Sequence, residues 1–408
     1  MAISGQPAET SPPSSDRSAP ELDRVERLEG ALRVIWKDGE AATFHFVWLR
    51  DNCLCELCGD PLIGKKDFRI TMMPIDIAPS EIEVTASARL RVAWSNDGHV
   101  SHFESRFLRE HSYEKDARRA RRFQPTLWDR AYLTAPPSRP YDQVCGSDAA
   151  FYDVLSTVRA YGLCFLTGAP AEVGVIESCA SRIGYIQENN FGRIQDLMVD
   201  PAKRSVAFSD RRLVPHNDEP YRASPPGILL FHCIETCSEG GGQSEFVDAF
   251  KVAELLRQED PEGFEVLASQ RQAFRRHFDG DVDLQAEFPV ISLDEFGALA
   301  GVRINDRVTA PLSIAHEHVV PFYRAYRRLL ELTGREDLTI ARVLQPGDLA
   351  IFDNHRILHG RTGFDLKGPR WLRWAQVERG DFFSTLRVLE GKLGARREDR
   401  RMPRGAYS

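Results

Sequence analysis

The feature that most constrains this chain is a histidine–x–aspartate pair that needs a distant third partner. His216 and Asp218 stand two residues apart, so on a strand both side chains would leave the same face. One imidazole and one carboxylate on one face are two-thirds of a 2-His-1-carboxylate iron(II) site. The predicted third ligand is His359, which follows an apolar strand far along the chain. The fold must therefore bring two distant strands together.

An arginine close behind this set of ligands suggests a co-substrate. Arg370 follows His359 by eleven residues, and arginine can hold a carboxylate through a two-pronged, charge-assisted pair. An iron site with such an arginine predicts a 2-oxo acid that chelates the metal and rests its far carboxylate on Arg370. The His-x-Asp pattern alone is weak evidence in a chain with 11 histidines; His216 as a loop histidine without a metal is the alternative. A zinc hydrolase is disfavoured because no His-Glu-x-x-His pattern is present.

The pattern of short strands and helices predicts the fold class. Glycine turns separate many short apolar runs, such as Gly227–Cys233 and Leu349–Asp353, and helical spacing appears in Asp148–Ala160 and Pro321–Leu332. Pro321 suits the first position of a helix. We therefore predict a mostly β protein with a double-stranded β-helix (jelly-roll) core and helices packed outside. The open mouth of such a core lets ligands from distant strands meet.

The N-terminal region predicts a small antiparallel β module with a second metal site. Alternating segments and turn residues indicate hairpins at Leu28–Val47 and Leu90–Phe103. Between them, three cysteines within six residues can surround one ion, and structural zinc takes four N or S ligands. Cys53, Cys55 and Cys58 supply three ligands, and the fourth is His99 at the hairpin tip or, failing that, His102. Three metal-free thiols are the alternative.

Composition bounds the organisation of the chain and its partners. The predicted regions are a disordered tail (1–22), a zinc-binding β domain (23–122), a linker (123–142), the jelly-roll domain (143–392) and an Arg-rich tail (393–408). A net charge of −7 without a long basic run before that tail disfavours nucleic-acid binding. No apolar run is long enough to cross a bilayer, and no signal pattern is present. We therefore expect a cytoplasmic protein that does not bind membranes.

Four motifs together resemble the γ-butyrobetaine and trimethyllysine hydroxylases, which are iron(II) and 2-oxoglutarate dioxygenases related to the taurine dioxygenases. These motifs are the Trp48–Cys58 cysteine box, the Pro225–Cys233 segment, the stretch that ends at Asp248, and Phe352–Arg361. The resemblance runs from about Leu28 to Leu389. It implies a structural zinc on Cys53, Cys55, Cys58 and His99, iron(II) on His216, Asp218 and His359, 2-oxoglutarate on Arg370, and a homodimer.

The resemblance is weakest in the substrate pocket. Relatives acting on γ-butyrobetaine hold its trimethylammonium group in an aromatic cage through cation–π attraction. The matching positions here are Phe191, Gln195, Phe208 and Gln376, so two of the four rings are absent. Trp374 and Tyr221 are candidate replacements. An asparagine that helps to bind the substrate carboxylate in the relatives corresponds to Ser205, and Arg193 and Arg307 are candidates to hold a doubly charged anion or, alternatively, surface arginines.

The sequence thus predicts a dioxygenase that hydroxylates a C–H bond of a small quaternary-ammonium acid like γ-butyrobetaine. The expected co-substrate is 2-oxoglutarate, and ascorbate is the reductant for an assay. A related substrate, 2-trimethylaminoethylphosphonate or trimethyllysine, is the alternative within this class. A non-catalytic, zinc-dependent interaction or sensor protein is the alternative from another class.

Overall fold

The computed structural model describes residues 20–198, 211–236, 242–278, 281–363 and 370–395. The two predicted tails lie outside these ranges, except for residues 20–22 and 393–395. The chain divides into two compact units, the first ending at Arg122 and the second beginning at Phe123. Within the described ranges, no helix is both long and apolar enough to cross a lipid bilayer.

The first unit is built mainly from short antiparallel strands. Its strands are β1 (Leu22–Leu28), β2 (Ala31–Trp36), β3 (Ala41–His45), β4 (Gly59–Asp60), β5 (Lys65–Lys66), β6 (Pro79–Val84), β7 (Leu90–Trp94) and β8 (Val100–Phe103), and its helices are α1 (Phe46–Asp51), α2 (Ser105–His111) and α3 (Lys115–Ala120). Two three-stranded sheets, β1-β2-β3 and β6-β7-β8, carry the predicted hairpins. Both sheets contribute to one apolar core, in which Trp36 and Trp94 are fully buried.

The second predicted strand of this unit is shorter than expected. The apolar run from Ala42 to Val47 indicated one return strand, but β3 ends at His45 and α1 starts at Phe46. The cysteine box therefore begins on a helix, which ends at Asp51 just before the first cysteine. Burial explains the helix: Phe46 and Leu49 lie three residues apart, which is helical spacing, and both side chains enter the core.

The second unit alternates strands and helices. Its strands are β9 (Ser138–Pro140), β10 (Leu163–Thr167), β11 (Gln195–Met198), β12 (Leu213–His216), β13 (Ile228–Glu235), β14 (Ser244–Asp248), β15 (Arg271–Phe278), β16 (Val282–Pro289), β17 (Ile291–Leu293), β18 (Leu299–Val302), β19 (Thr339–Arg342), β20 (Leu349–Asp353), β21 (Ile357–Arg361) and β22 (Trp371–Val377). Its helices are α4 (Tyr141–Cys145), α5 (Asp148–Tyr161), α6 (Val175–Ile183), α7 (Ala249–Glu259), α8 (Pro261–Ser269), α9 (His316–Thr333) and α10 (Arg379–Leu393).

Two sheets form the centre of the second unit. One has the order β11-β22-β13-β20-β10-β9 and the other the order β12-β21-β14-β19. Apolar side chains from both sheets, such as Phe231, Phe246 and Phe352, meet in a shared core. Helices α5, α6 and α10 cover the outer face of the larger sheet, and α7, α8 and α9 cover that of the smaller one. The predicted mixture of sheets and outer helices is confirmed.

Helix α5 shows how the sequence specifies these outer layers. Its apolar residues recur at helical spacing, and Phe151, Val154, Leu155 and Val158 are all buried. Ser147 caps the first turn by accepting a hydrogen bond from the backbone N–H of Ala150 at 3.2 Å. Gly162 ends the helix with φ +76, and a Cβ there would lie 2.7 Å from Ile357. Only glycine satisfies both the backbone angle and this close approach.

The stretch 123–142, predicted as a linker, is part of the second unit. Trp128 is 1% exposed, and its backbone N–H donates to Asp248 at 3.2 Å. Arg356 donates to both carboxylate oxygens of Asp248, at 3.0 and 2.8 Å, and to the carbonyl of Thr126 at 2.6 Å. A buried ion pair and a tryptophan therefore hold this stretch against the core, although its proline content is typical of a linker.

The structure also corrects the start of one helix. Pro321 was expected at the first helical position, but α9 begins at His316 and Pro321 lies inside it. Proline there removes one backbone hydrogen bond of the helix. Phe322, Tyr326 and Leu329 follow on one buried face, so tertiary packing offsets this loss.

Candidate active site and candidate zinc site

Two distant histidines are brought together by neighbouring strands. β12 pairs with β21 in antiparallel fashion, with His216 opposite His359. Their ring centroids lie 4.4 Å apart at an interplanar angle of 43°. Gly360 permits this approach, because a Cβ there would lie 2.6 Å from the carbonyl oxygen of Leu213. The His-Gly-Arg motif thus needs glycine at position 360, because the backbone of β12 comes too close to β21 for a side chain there.

Asp218 also lies beside the two histidines, but hydrogen bonds to its backbone position it, and not strand alternation as we expected. Strand alternation cannot place it, because β12 ends at His216. Instead, the backbone N–H of Asp218 donates to the side-chain oxygen of Asn354 at 2.8 Å, and the Asn354 amide donates to the Asp218 carbonyl at 3.0 Å. Asn354 is 1% exposed. A buried asparagine beside β20 therefore fixes the backbone of Asp218.

The residue between the two ligands is also fixed by hydrogen bonds. The Asn217 backbone N–H donates to the Ile304 carbonyl, and its side-chain oxygen accepts from the Ile304 N–H, both at 2.8 Å. The side chain of Asn305 donates to the Asn217 carbonyl at 3.1 Å. Glu219 then turns the chain away with φ +52. These backbone contacts hold the His216–Asp218 segment in one conformation before any metal binds.

The ligand atoms converge on one point. The Nε2 of His216 lies 3.3 Å from Oδ1 of Asp218, and the Nε2 of His359 lies 3.5 Å from Oδ2. All three ligand atoms lie within 4.8 Å of one another. The Nδ1 of His216 is 2.9 Å from the Val214 carbonyl, to which it can donate, leaving Nε2 free to bind a metal. Two imidazoles and a carboxylate in this arrangement fit an iron(II) ion with open positions.

The charge states also suit a metal site. Burial would raise the pKa of Asp218, but the neighbouring imidazoles of His359 and His216, with Arg307, outweigh it and lower that pKa to about 2. Burial lowers the pKa of His359 to about 3. Near neutral pH the site therefore presents an ionised carboxylate and a neutral His359 ring, which are the forms that bind metals.

Aromatic side chains hold the His359 ring in place. Phe231 of β13 meets it edge to face, with ring centroids 5.2 Å apart at 82°. Phe352 of β20 lies at the same centroid distance at 51°. Both phenylalanines belong to the core between the two sheets. They limit rotation of His359 and exclude water from one side of the ligand set.

Arg370 lies beside a second arginine near this site. Burial, followed by the charge of Arg361, lowers the pKa of Arg370 to about 10, and the Cys233 thiol acts in the opposite direction. Arg361 is 4% exposed and lies two positions after His359 on β21, so both side chains leave the same face. The two guanidiniums together favour an anion, and the sequence prediction had singled out only Arg370.

The residues predicted for the substrate pocket fall into two groups. In the first, Gln195 of β11 is paired with Trp374 of β22, and the Trp374 indole N–H donates to the Gln195 side-chain oxygen. Gln376 lies two positions further along β22 and is 5% exposed. Its side-chain oxygen has no hydrogen-bond partner among the described residues. Trp374 shares the inter-sheet core with Phe231, which contacts His359.

The second group contains an aromatic residue that the sequence reading missed. Phe278 of β15 lies edge to face with Phe191, with ring centroids 5.2 Å apart, and its centroid is 6.3 Å from that of Tyr221. Tyr221 is 6% exposed. Phe208 and Ser205 lie outside the described residues. Phe278 is distant from the motifs in sequence, so no local signal could have identified it.

The two candidate anion-binding arginines have different surroundings. Arg193 is exposed in the segment before β11. Arg307 is also exposed, but it lies two residues after Asn305, whose side chain donates to the carbonyl of Asn217 between His216 and Asp218 at 3.1 Å. Its charge contributes to lowering the pKa values of Asp218 and His359. The structure therefore places the segment that carries Arg307 near the predicted reaction centre.

In the first unit, the cysteine box and one histidine form a second candidate metal site. The Nε2 of His99 lies 3.3, 3.6 and 3.6 Å from the sulfur atoms of Cys53, Cys55 and Cys58. A tetrahedral zinc with bonds of about 2.3 Å to sulfur and about 2.1 Å to nitrogen separates such ligands by about 3.6 Å. The four ligand atoms thus fit a closed zinc site, and His102 is not part of the group.

A buried arginine supports this cluster. Arg50 donates to the Cys58 sulfur at 3.3 Å and to Asp97 at 2.9 Å. Asp97 in turn accepts from the backbone N–H of His99 at 3.0 Å. Arg50 thus stabilises thiolate charge and, through Asp97, orients the turn that carries the histidine. Contacts of this kind outside the ligand shell commonly tune metal sites.

Comparisons with known proteins identify the families and proteins to which this chain is similar. The family "Taurine catabolism dioxygenase TauD, TfdA family" matches residues 135–376, and "Gamma-butyrobetaine hydroxylase-like, N-terminal" matches residues 24–109. A γ-butyrobetaine dioxygenase from Pseudomonas sp. strain AK-1 is 33% identical over 88% of this chain and 94% of that protein. A trimethyllysine dioxygenase from Meyerozyma guilliermondii is 31% identical over 88% of this chain and 93% of that protein. A solved structure of asparagine oxygenase covers 56% of this chain and 79% of that one, at 19% identity and a TM-score of 0.45.

Proposed function

The chain belongs to the TauD, TfdA family of dioxygenases, and from that membership we propose that it hydroxylates a C–H bond of a small quaternary-ammonium acid resembling γ-butyrobetaine. The enzyme depends on iron(II) and 2-oxoglutarate. The observation that carries the proposal is the convergence of His216, Asp218 and His359 within 4.8 Å on a pair of neighbouring strands. A non-catalytic protein would not require this ligand set, and family membership removes that alternative.

In this proposal the three convergent side chains hold the iron, and Arg370 holds the far carboxylate of 2-oxoglutarate. Two imidazoles and one carboxylate are the ligand set typical of non-haem iron(II) oxygenases. With iron(II) bound, the site would supply the oxidative chemistry that converts 2-oxoglutarate, dioxygen and a substrate C–H bond into succinate, CO₂ and C–OH. The protein's own task is to place one C–H bond beside the metal and to exclude the others.

One aromatic residue of the pocket supports a quaternary-ammonium substrate. Trp374 is paired with Gln195 and lies two positions before Gln376 on β22, so it provides a ring beside the two family positions that lack one. Ring faces attract a trimethylammonium group through cation–π interaction. The named relatives act on γ-butyrobetaine or trimethyllysine. The third candidate is 2-trimethylaminoethylphosphonate, because Arg307 lies two residues after Asn305, which is hydrogen-bonded to Asn217 between two of the metal ligands.

The remaining features of the proposal concern the whole chain. The second unit's two sheets are assigned to a double-stranded β-helix core, and the first unit to a structural zinc domain on Cys53, Cys55, Cys58 and His99, supported by their distances. The family resemblance supports a homodimer. A cytoplasmic location is part of the same proposal.

A substrate panel tests the proposed function. The protein, supplied with iron(II), 2-oxoglutarate and ascorbate, is offered γ-butyrobetaine, trimethyllysine and 2-trimethylaminoethylphosphonate, and succinate and the hydroxylated product are measured by mass spectrometry. At least one of the three should raise succinate formation above the rate without substrate. His216→Ala should abolish this increase, whereas His316→Ala, at a fully exposed histidine on α9, should leave it unchanged. No increase with any of the three would contradict the substrate class.

A further inference from the structure

A second arginine lies next to Arg307. β15 and the segment after the turn Asp306–Val308 form an antiparallel bridge between Phe274 and Thr309, supported by a 2.7 Å hydrogen bond from the Ala310 N–H to the Ala273 carbonyl. Asp306–Val308 is a short 3₁₀ turn, and Val308 packs with Phe274 and Tyr221 in one apolar cluster. Arg307 directly precedes Val308, and Arg276 follows Phe274 by two positions on β15. The fold thus juxtaposes two cations that are distant in sequence.

The side chain of Arg276 points toward the pocket. Strand alternation puts Phe274, Arg276 and Phe278 on one face of β15, the face that packs on Tyr221. The guanidinium of Arg276 lies 5.2 Å from the centre of the Phe278 ring. Arg275, on the opposite face, is exposed and paired with Asp283 at 2.7 Å. Arg276 is therefore held on the inner face, and its neighbour is held on the outer one.

Neither arginine has a counter-ion at hydrogen-bonding distance within the part of the chain that the structure describes. Arg276 makes its aromatic contact with Phe278, and Arg307 is exposed. Partial burial lowers the pKa of Arg307; Asp218 and Asp306 oppose this effect, and Arg276 adds to it. Glu219, the other nearby acid, is already held by Arg222 and Asn189. The pair therefore has two carboxylates near it, those of Asp218 and Asp306, but neither forms an ion pair with it among the described residues, and a bound iron would share the charge of Asp218.

Building on the proposed function, we propose that Arg276 and Arg307 together bind the acid group of the substrate, and that this group is a doubly charged oxyanion such as a phosphonate. Guanidinium groups offer paired donors that match the oxygens of such an anion. Two guanidinium groups match a phosphonate, which has three oxygens and two charges, better than they match a carboxylate, which has two oxygens and one charge. Both arginines lie on the Tyr221 side of the pocket, next to the metal ligands.

This site also orients the rest of the substrate. A trimethylammonium group would be repelled by two cations at short range, so it must lie away from them. With the acid group on Arg276 and Arg307, the chain between acid and ammonium passes the metal ligands, because Asn305, two residues before Arg307, donates to the carbonyl of Asn217, which lies between His216 and Asp218. The arginine pair would thus select the substrate and also the direction in which it enters.

Direct binding provides the first test. Protein loaded with iron(II) and 2-oxoglutarate is titrated with methylphosphonate by calorimetry without oxygen, and acetate serves as the singly charged comparison. Wild-type protein should bind methylphosphonate more tightly than acetate. Arg276→Gln and Arg307→Gln should each weaken methylphosphonate binding at least about tenfold, whereas the matched control Arg275→Gln should change it less than about twofold. Arg307→Lys, which keeps the charge, should recover part of the affinity.

Two results would overturn the proposal: no methylphosphonate binding to wild-type protein, or unchanged binding in both glutamine variants. Turnover separates this inference from the proposed function. If the wild type binds methylphosphonate through the two arginines but no quaternary-ammonium acid is turned over, the anion site stands and the substrate class fails. If γ-butyrobetaine is turned over with the same KM and kcat in wild type, Arg276→Gln and Arg307→Gln, the function stands and the arginine proposal fails.

Discussion

His216 and His359 face each other across the β12–β21 pair, with ring centroids 4.4 Å apart. This relationship gives the second unit its chemistry, because it joins a ligand from the middle of the chain to one near its end. Asp218 completes the set only because Asn354 fixes its backbone on both sides. The site therefore depends on a strand pairing and on a buried amide.

The first prediction concerns Asn354. Its side chain makes hydrogen bonds to the Asp218 N–H, the Asp218 carbonyl and the Pro226 carbonyl, at 2.8, 3.0 and 3.0 Å. Asn354→Ala should lower iron(II) affinity about 10–100-fold, because the carboxylate is no longer held in position. Iron(II) dissociation constants measured without oxygen check this. Asn96→Ala, in an exposed turn of the first unit, is the control, and equal affinities in both variants would show that Asn354 does not position the ligand.

The second prediction concerns the co-substrate arginine. Arg370→Ala should raise the KM for 2-oxoglutarate at least about tenfold, since a charge-assisted pair is lost, and it should leave iron(II) affinity within about twofold. The measurement is succinate formation as a function of 2-oxoglutarate concentration. Arg327→Ala, at an exposed arginine of α9, should leave that KM unchanged. An unaltered requirement in Arg370→Ala would assign the far carboxylate to another group, and Arg361 would then be examined first because it lies beside Arg370.

The third prediction concerns the first unit. Purified protein should contain one zinc per chain, measured by elemental mass spectrometry, and Cys55→Ser should lose it, because a closed site needs all four ligands. Since zinc binding supplies folding free energy, the first unit should also unfold at a lower temperature. Cys145→Ser, at an exposed cysteine of the second unit, should keep the zinc. Equal zinc content in Cys55→Ser and wild type would contradict the assigned ligands.

The fourth prediction concerns the buried ion pair that holds the stretch 123–142. Asp248 is 1% exposed, and it receives two hydrogen bonds from Arg356, which is 2% exposed. Asp248→Ala should lower the free energy of unfolding by about 3–5 kcal/mol, because it leaves a buried guanidinium without its anion. Urea denaturation provides the measurement. Asp337→Ala breaks an exposed pair with Arg335 and should cost less than about 1 kcal/mol; similar losses in the two variants would refute the structural role of Asp248.

The metal ligands could be predicted from the sequence, because their residue types and spacing are themselves recognisable patterns. The spacing of His216 and Asp218, the later His359 and the cysteine box are chemical patterns, and the structure brings each set together. How Asp218 is positioned could not be predicted, because β12 ends at His216 and the hydrogen bond from the Asp218 N–H to Asn354 fixes the aspartate. Arg276 could not be predicted either, because it is the packing of Val308 and Thr309 against Phe274 of β15 that brings the segment of Arg307 near it.

The helices and strands could likewise be predicted only where the local sequence pattern determines them. Helix α5 could be read from its own spacing, because its apolar residues all face one core. The start of α9 and the integration of 123–142 could not, since both depend on packing against distant residues such as Asp248. Local pattern thus predicts elements and ligand types, whereas strand register and buried polar contacts decide which distant groups meet.

Anaerobic titration of the 2-oxoglutarate-loaded protein with iron(II) tests the central claim most directly. A 2-oxo acid chelated to iron(II) produces a visible charge-transfer absorption. Wild type and His316→Ala should develop this absorption stoichiometrically, whereas Asp218→Ala and His359→Ala should not develop it at the same iron concentration. Full development of the absorption in Asp218→Ala and His359→Ala would show that these residues do not form the iron site.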